Sequence, residues 1–255
     1  MILVQFLLLC SGCDRQGASW EEKLGESNLE VGSTVSTAKP SMDAIIPLMA
    51  EAPLLEWEDP EAEHLADMLQ DACSGMMVRL SNGQNLGSGI IYSTEEEFLV
   101  IVTAGHVLAD AVEGVKIVFV DGWETASREV SVSELADLAV VRIPLMEIPR
   151  ERLEKYLLAN VDKSSYEGLQ AGDGCIVMGS RSGVAEDAYE GIILDSWIYM
   201  EDYDQYMIWV SAPGKPGMSG GGLFDRWGHL LGVLSGCSED GEWAVVPLAM
   251  LLAEL

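Results

Sequence analysis

The sequence predicts an all-β fold, an antiparallel sandwich or a pair of barrels. Three observations carry that prediction. From Cys73 onward, apolar stretches of strand length follow one another, rich in Val, Ile and aromatic residues. Turns rich in Gly, Asn and Ser separate them. Only two or three stretches show a helical period, too few for an α/β fold. In chain order, MMVRL (76–80), the turn NGQN and LGSGIIY (86–92) read as a hairpin, followed by FLVIVTA (98–104), VKIVFV (115–120) and LAVVRI (138–143). PRERLEKYLLANV (149–161) reads as a helix. After it come DGCIVMG (173–179), GIILDSWIYM (191–200), YMIWVSA (206–212), LLGVLSG (230–236) and EWAVVPL (242–248).

A chain of 255 residues with 49% hydrophobic content can bury a substantial core. Its formal charge of −28 opposes non-specific binding to nucleic acid or to an anionic membrane surface, because like charges repel. No nucleic-acid partner is expected.

The N-terminal part reads differently. MILVQFLLLCSGC has an apolar run of about ten residues, well short of the roughly twenty that span a bilayer. Its end, LCSGC, resembles the lipobox of bacterial lipoproteins, which would make residues 1–13 an export signal and Cys13 the lipidated residue. Cys10 stands where that pattern prefers Leu, and no Lys or Arg precedes the run, so a plain signal peptide, a misplaced start and a buried N-terminal strand are the alternatives. Residues 14–58 are polar and acidic without sustained periodicity and read as a flexible tether, although AIIPLMAEAPLLEW (44–57) is apolar enough to dock. Residues 59–255 then form the folded domain. It opens with DPEAEHLADMLQDA, a helical pattern in which Asp59 caps, Pro60 suits the first turn, and Leu65, Met68 and Leu69 share a face; His64 reads as a solvated surface residue.

With the leader set aside, Cys73, Cys175 and Cys237 remain. Three cysteines cannot all pair within one chain, and buried small hydrophobes is the simplest reading, with one disulfide plus a free thiol as the alternative. The three histidines are widely separated and none has ligands at metal spacing, so neither a metal nor a cofactor is expected.

Three motifs carry chemistry. GMSGG (217–221) satisfies G-x-S-x-G, the pattern of the α/β-hydrolase nucleophile elbow. That fold places its acid and its histidine after the serine, whereas only residues 220–255 follow here, and His229 reads as an exposed hairpin residue. In FLVIVTAGHVLADA, an apolar strand ends in Thr103, Ala104 and Gly105 and presents His106; alone, such a histidine reads as a satisfied core residue. Small neighbours nevertheless leave room for a second side chain to reach its ring, as a general base requires. In SELADLAVVRIP, Asp137 directly precedes a strand and is either at a solvated end or paired, because burying a lone carboxylate is costly.

Taken together, TAGH, then DLAVV, then GMSGG have an order and spacing that resemble the trypsin-like serine proteases, most closely the bacterial HtrA branch. The resemblance runs from about Met76 to the end of the sequence and includes LGSGIIY, AGDGCIVMGSRSG, and LLGVLSG with WAVVPL. It implies two antiparallel six-stranded β-barrels with a few short helices and a catalytic cleft between the barrels. By position, Ser219 is the expected nucleophile, His106 the general base and Asp137 its orienting partner, with the N–H groups of Gly217 and Ser219 as oxyanion hole. Ser235, Gly236 and Cys237 match the strand that pairs with substrate and edges the primary specificity pocket. Cys237 would narrow its entrance, favouring small or medium apolar residues, and Pro213, six before the serine, gives no acidic partner for Lys or Arg. Met218 replaces the polar residue usual in the family and is expected to pack under the oxyanion turn, so activation should need no free N-terminus.

The PDZ domain usual after HtrA-type proteases is not expected here. The implied function is extracytoplasmic serine endopeptidase action on protein or peptide substrates through an acyl-enzyme, with a membrane tether through lipid on Cys13. The alternatives are a dormant or partner-activated binding lipoprotein on the same fold, and a hydrolase of esters.

Overall fold

The computed structural model describes residues 49–56, 64–109, 114–181 and 185–254. The expected capping residues Asp59 and Pro60, Cys13, and residues 14–48 of the expected tether lie outside them. The first half contains β1 (Ala50–Glu51), α1 (Leu65–Cys73), β2 (Met77–Ser81), β3 (Leu86–Glu95), β4 (Phe98–Thr103), β5 (Val115–Phe119), β6 (Glu124–Ser127), β7 (Glu129–Val132) and β8 (Ala139–Pro144). The second contains α2 (Arg150–Leu153), β9 (Leu157–Leu158), α3 (Lys163–Glu167), β10 (Gly174–Arg181), β11 (Ala185–Met200), β12 (Gln205–Ser211), β13 (Gly222–Asp225), β14 (Leu230–Cys237), β15 (Glu242–Pro247) and α4 (Leu248–Glu254).

Two barrel-like sheets result. The second is closed, in the order β10-β11-β12-β15-β14-β13; the first is a seven-stranded sheet, β6-β5-β2-β3-β4-β8-β7, whose edge strands β6 and β7 are separated only by Arg128. Counted as one strand broken at Arg128, β6 and β7 give the first barrel the same strand order as the second. The expected six strands therefore become seven in this barrel, and the reason is local. Buried Ser127 donates its hydroxyl to the Arg142 carbonyl on β8 at 2.6 Å and accepts the Glu129 amide at 3.0 Å, so a side chain serves the ladder where the chain crosses between neighbours.

Alternation within the strands puts Val78, Leu80, Ile91, Leu99, Ile101, Ile117 and Phe119 inside the first barrel, and Val177, Ile193, Ile208, Val210, Leu223 and Leu234 inside the second. A third cluster, including Leu69, Met76, Ile90, Met178, Phe224 and Leu251, joins the barrels to α1 and α4.

Several expectations change. The helix predicted over 149–161 is a single turn, α2, because Tyr156 stacks on Phe119 with ring centroids 4.3 Å apart and Leu157–Leu158 runs extended to pair in parallel with Ala50–Glu51. The apolar patch before residue 58 is thus docked over residues 49–56, with the Ala52 amide on Leu158 O at 2.7 Å and the Leu55 amide on Trp227 O at 2.9 Å. In α1 the buried residues are Ala66, Leu69 and Cys73, whereas Met68 is 45% exposed, since the helix turns Leu69 rather than Met68 toward the core. Elements β6, β7, β13, α3 and α4 were not read from the sequence. Cys73 and Cys175 are buried, Cys237 is half-buried, and all three are free thiols. Among the described residues no helix is long and apolar enough to cross a membrane.

Candidate active site

The three motifs meet at the junction of the barrels. β4 ends at Thr103, and Gly105, His106 and Val107 form a single tight turn after it. Gly105 permits close approach: a Cβ there would stand 3.1 Å from Leu138 O and 3.2 Å from Asp137 Oδ1. Asp137 consequently grips His106 twice, its Oδ1 accepting the His106 amide at 2.8 Å and its Oδ2 facing His106 Nδ1 at 2.8 Å. The Ser235 hydroxyl donates to the same Oδ2. Burial alone would push the Asp137 carboxyl up, but the hydrogen bond and charge of His106, with the Ser235 hydroxyl and the His106 amide, hold it below the usual carboxylate value. An ionised Asp137 places the ring proton on Nδ1 and leaves Nε2 as the basic nitrogen.

Ser219 lies on the loop before β13. Lys215-Pro216-Gly217-Met218 forms a β-turn closed by the Met218 amide on Lys215 O at 3.2 Å; Pro at its second position and Gly217 at φ 96° at its third suit a type II turn. The Gly220 amide donates to Leu234 O at 2.7 Å and the Gly221 amide to Met218 O at 2.9 Å. Gly220, at φ 83°, presses against the end of β4: a Cβ there would collide with Thr103 Oγ1 and Ser88 O and stand 3.1 Å from the Ala104 amide. Ser219 is thereby seated beside the turn that carries His106. Met218 is fully buried in the second barrel's core, with the Gly179 backbone packed directly against it.

Ser235, Gly236 and Cys237 end β14. They face β15 on one side, with Gly236 opposite Ala244 and Cys237 opposite Trp243, while the β13 pairing of this strand spans only Leu230 to Val233. The Cys237 thiol and the Trp243 indole fill the space against Gly214, where a Cβ would be 2.6 Å from the Cys237 Sγ and 2.7 Å from the Trp243 ring. Burial pushes the Cys237 thiol up to about 11, so it is a neutral wall and not a nucleophile.

Two side chains of this region escaped the sequence reading. Tyr203, in the β11–β12 turn, places its hydroxyl over Gly236, where any side chain would collide with it, and is hydrogen-bonded to Ser235. Ser88 contacts the serine loop through both side chain and backbone. Ser88 was visible only as part of LGSGIIY, and no local signal marks Tyr203.

The other histidines lie elsewhere. His64 is exposed, 3.6 Å from Asp67. His229 is not an exposed hairpin residue: its Nδ1 is 2.7 Å from Asp225 Oδ2 and 3.2 Å from Ser165 Oγ, and its side chain is 14% exposed. Asp225, which also accepts the Trp227 and His229 amides, pulls the ring inward. Among the described residues no group of His, Cys, Asp or Glu is placed to hold a metal ion.

Two barrels of matching strand order, with a His–Asp pair from the first facing a serine loop from the second, define a protein of the trypsin-like class. The chain belongs to the trypsin-like peptidase domain family, which matches residues 87–233. Its relatives are HtrA- and DegP-like serine proteases. It is 26% identical to the probable periplasmic serine endoprotease DegP-like of Pseudomonas fluorescens over 239 residues, 92% of this chain and 47% of that protein. With the serine protease Do-like HtrA of Bacillus subtilis it shares 29% identity over 60% of this chain and 34% of that protein. The chain spans about half or less of the length of these curated relatives. Among solved structures, the HtrA-type protease AlgW with tripeptide aligns at TM-score 0.59 and 25% identity, covering 72% of this chain and 60% of that one. The inactive form of the Rv3671c protease aligns at TM-score 0.61 and 20% identity, covering 81% and 98%, and shows the fold alone.

Proposed function

We propose that this protein is a serine endopeptidase that cleaves protein or peptide substrates through an acyl-enzyme on Ser219 and works outside the cytoplasm. The double grip of Asp137 on His106, beside the loop of Ser219, is the observation that carries the reading. His106 Nε2 takes the Ser219 proton as Oγ attacks the scissile carbonyl, and Asp137 stabilises the imidazolium that forms. The turn commits the amides of Met218, Gly220 and Gly221 to internal hydrogen bonds, so those of Gly217 and Ser219 serve the tetrahedral oxyanion. His106 then protonates the leaving amine, and water, deprotonated by the same nitrogen, hydrolyses the ester and restores Ser219.

Substrate adds as a strand along Ser235–Cys237. The fill of Cys237 and Trp243 against Gly214 favours a small or medium apolar residue before the scissile bond. Residues 1–13 serve as export signal with lipid on Cys13, residues from 14 to the docked segment form the tether, and residues 59–255 form the protease domain. The name of the Pseudomonas relative, a periplasmic enzyme, supports that location.

A second reading, a dormant or partner-gated protease, draws on Tyr203 standing over Gly236 on the substrate edge. Fluorophosphonate labelling of the full chain beside Ser219→Ala, read by intact mass, separates the two. One adduct on the wild type alone supports the active enzyme. No adduct on folded wild-type protein overturns it in favour of the gated form.

A further inference from the structure

Ser88 is fully buried in β3 of the first barrel, yet its hydrogen bonds serve the second. Its hydroxyl donates to Gly217 O at 2.8 Å and accepts the Ser180 amide of β10 at 2.6 Å. Its own amide donates to Ser219 O at 2.8 Å, and its carbonyl accepts the Thr103 hydroxyl at 2.6 Å. One residue therefore holds the carbonyls on both sides of Met218.

Peptide planarity gives those contacts reach. Each peptide points its C=O and N–H in opposite directions, so holding one end sets the other. The Gly217–Met218 peptide is held by Ser88 Oγ at one end and Lys215 O at the other. The Ser219–Gly220 peptide is held by the Ser88 amide and Leu234 O. Between them, the Met218–Ser219 peptide has its carbonyl on the Gly221 amide, which turns the Ser219 N–H to the opposite side. The side chain at 218 is a fully buried methionine among apolar residues and has no polar atom with which to anchor this turn.

Resting on the function proposed above, we propose that Ser88 is the positioning residue of the oxyanion turn. Its hydroxyl on Gly217 O and its amide on Ser219 O, offered from the first barrel across the junction, hold the peptides on both sides of the Met218–Ser219 unit and so keep the turn's N–H groups aimed at the developing charge. The hole is then complete only when the two barrels are docked. Ser88 touches neither substrate nor reacting atoms and acts through the turn alone.

The test is Ser88→Ala in the full chain, with three readouts beside the wild type: kcat and KM on a peptide ester, the rate of fluorophosphonate labelling, and amide hydrogen exchange over residues 214–221. A donor removed directly from such a hole costs about 10²- to 10³-fold, so loosening its support is expected to lower kcat and labelling by about 10- to 100-fold. KM should stay within about twofold, since ground-state binding does not use the hole. Exchange should accelerate over 214–221 and at the Ser180 amide, which loses its acceptor as well, and stay unchanged in the rest of β10. Equal kcat and equal exchange in the variant overturn the proposal, as does a loss that falls on KM alone. If wild type neither labels nor turns over, the active-enzyme reading gives way to the gated form, and exchange alone then decides whether Ser88 holds the turn. Should Ser88→Ala not fold, Ser88→Cys keeps a weaker donor and is expected to give intermediate rates; wild-type rates there would sink the idea.

Discussion

Replacing Asp137 by Asn tests the core of the proposed mechanism while changing few atoms. The amide oxygen can still accept the His106 backbone N–H that Oδ1 now accepts at 2.8 Å, so the local turn should persist. Its NH2 group would face Nδ1, which then has to accept, and the ring proton moves to Nε2, the nitrogen needed as base. The charge is lost as well. At the 2.8 Å separation of His106 Nδ1 and Asp137 Oδ2, an effective dielectric of about 20 gives an attraction near 6 kcal/mol for the imidazolium, or about 10⁴-fold in rate. That agrees with the roughly 10⁴-fold loss typical of this substitution in serine proteases. The assay is kcat on a peptide ester with a small apolar acyl residue, beside a urea denaturation curve to establish folding. A folded Asp137→Asn variant that loses less than about tenfold would refute the assignment of His106 and Asp137 as base and orienter.

Other expectations follow from the same contacts. Gly220→Ala puts a Cβ against Thr103 Oγ1 and Ser88 O at a positive φ, so a loss of at least about 3 kcal/mol, roughly 6–12 °C in Tm, is expected by calorimetry; an unchanged Tm would contradict the packing. Tyr203→Ala should lower KM for peptides long enough to lie along Ser235–Cys237 and leave KM for a single-residue ester unaltered, because the Tyr203 hydroxyl stands over Gly236 on that edge. Asp137 is held below its ordinary value of about 3.9. It therefore contributes stability above that pH, lost as pH falls through the lower folded value, and the urea-midpoint gap between wild type and Asp137→Asn should shrink on acidification below the ordinary carboxylate range. A gap that widens in acid would reverse the sign of the argument.

The proposed triad was legible because His106 and Asp137 each sit beside a strand end within their own motif and Ser219 stands in a glycine-rich loop before β13. An apolar run stopping at Thr103-Ala104-Gly105 announces His106, and a run starting at Leu138 announces Asp137. The broken strand β6–β7 was not legible, since ETAS (124–127) has no apolar face and EVSV (129–132), although it alternates, offers only Val130 to the core while Val132 stays 49% exposed. The helix over 149–161 failed for the opposite reason. Its apolar pattern is real, but docking against Phe119 and residues 50–52 chose an extended path for Leu157–Leu158.

By itself the sequence determined the β class, the order of the strands that bury one face, and the three motifs, because side-chain period and turn residues act over a few positions. The tertiary structure alone decided which distant groups meet. Ser88 and Gly217 stand 129 positions apart, and Ser235 and Asp137 98 apart. Such pairs leave no local pattern, since their hydrogen bonds exist only once the two barrels have closed and docked.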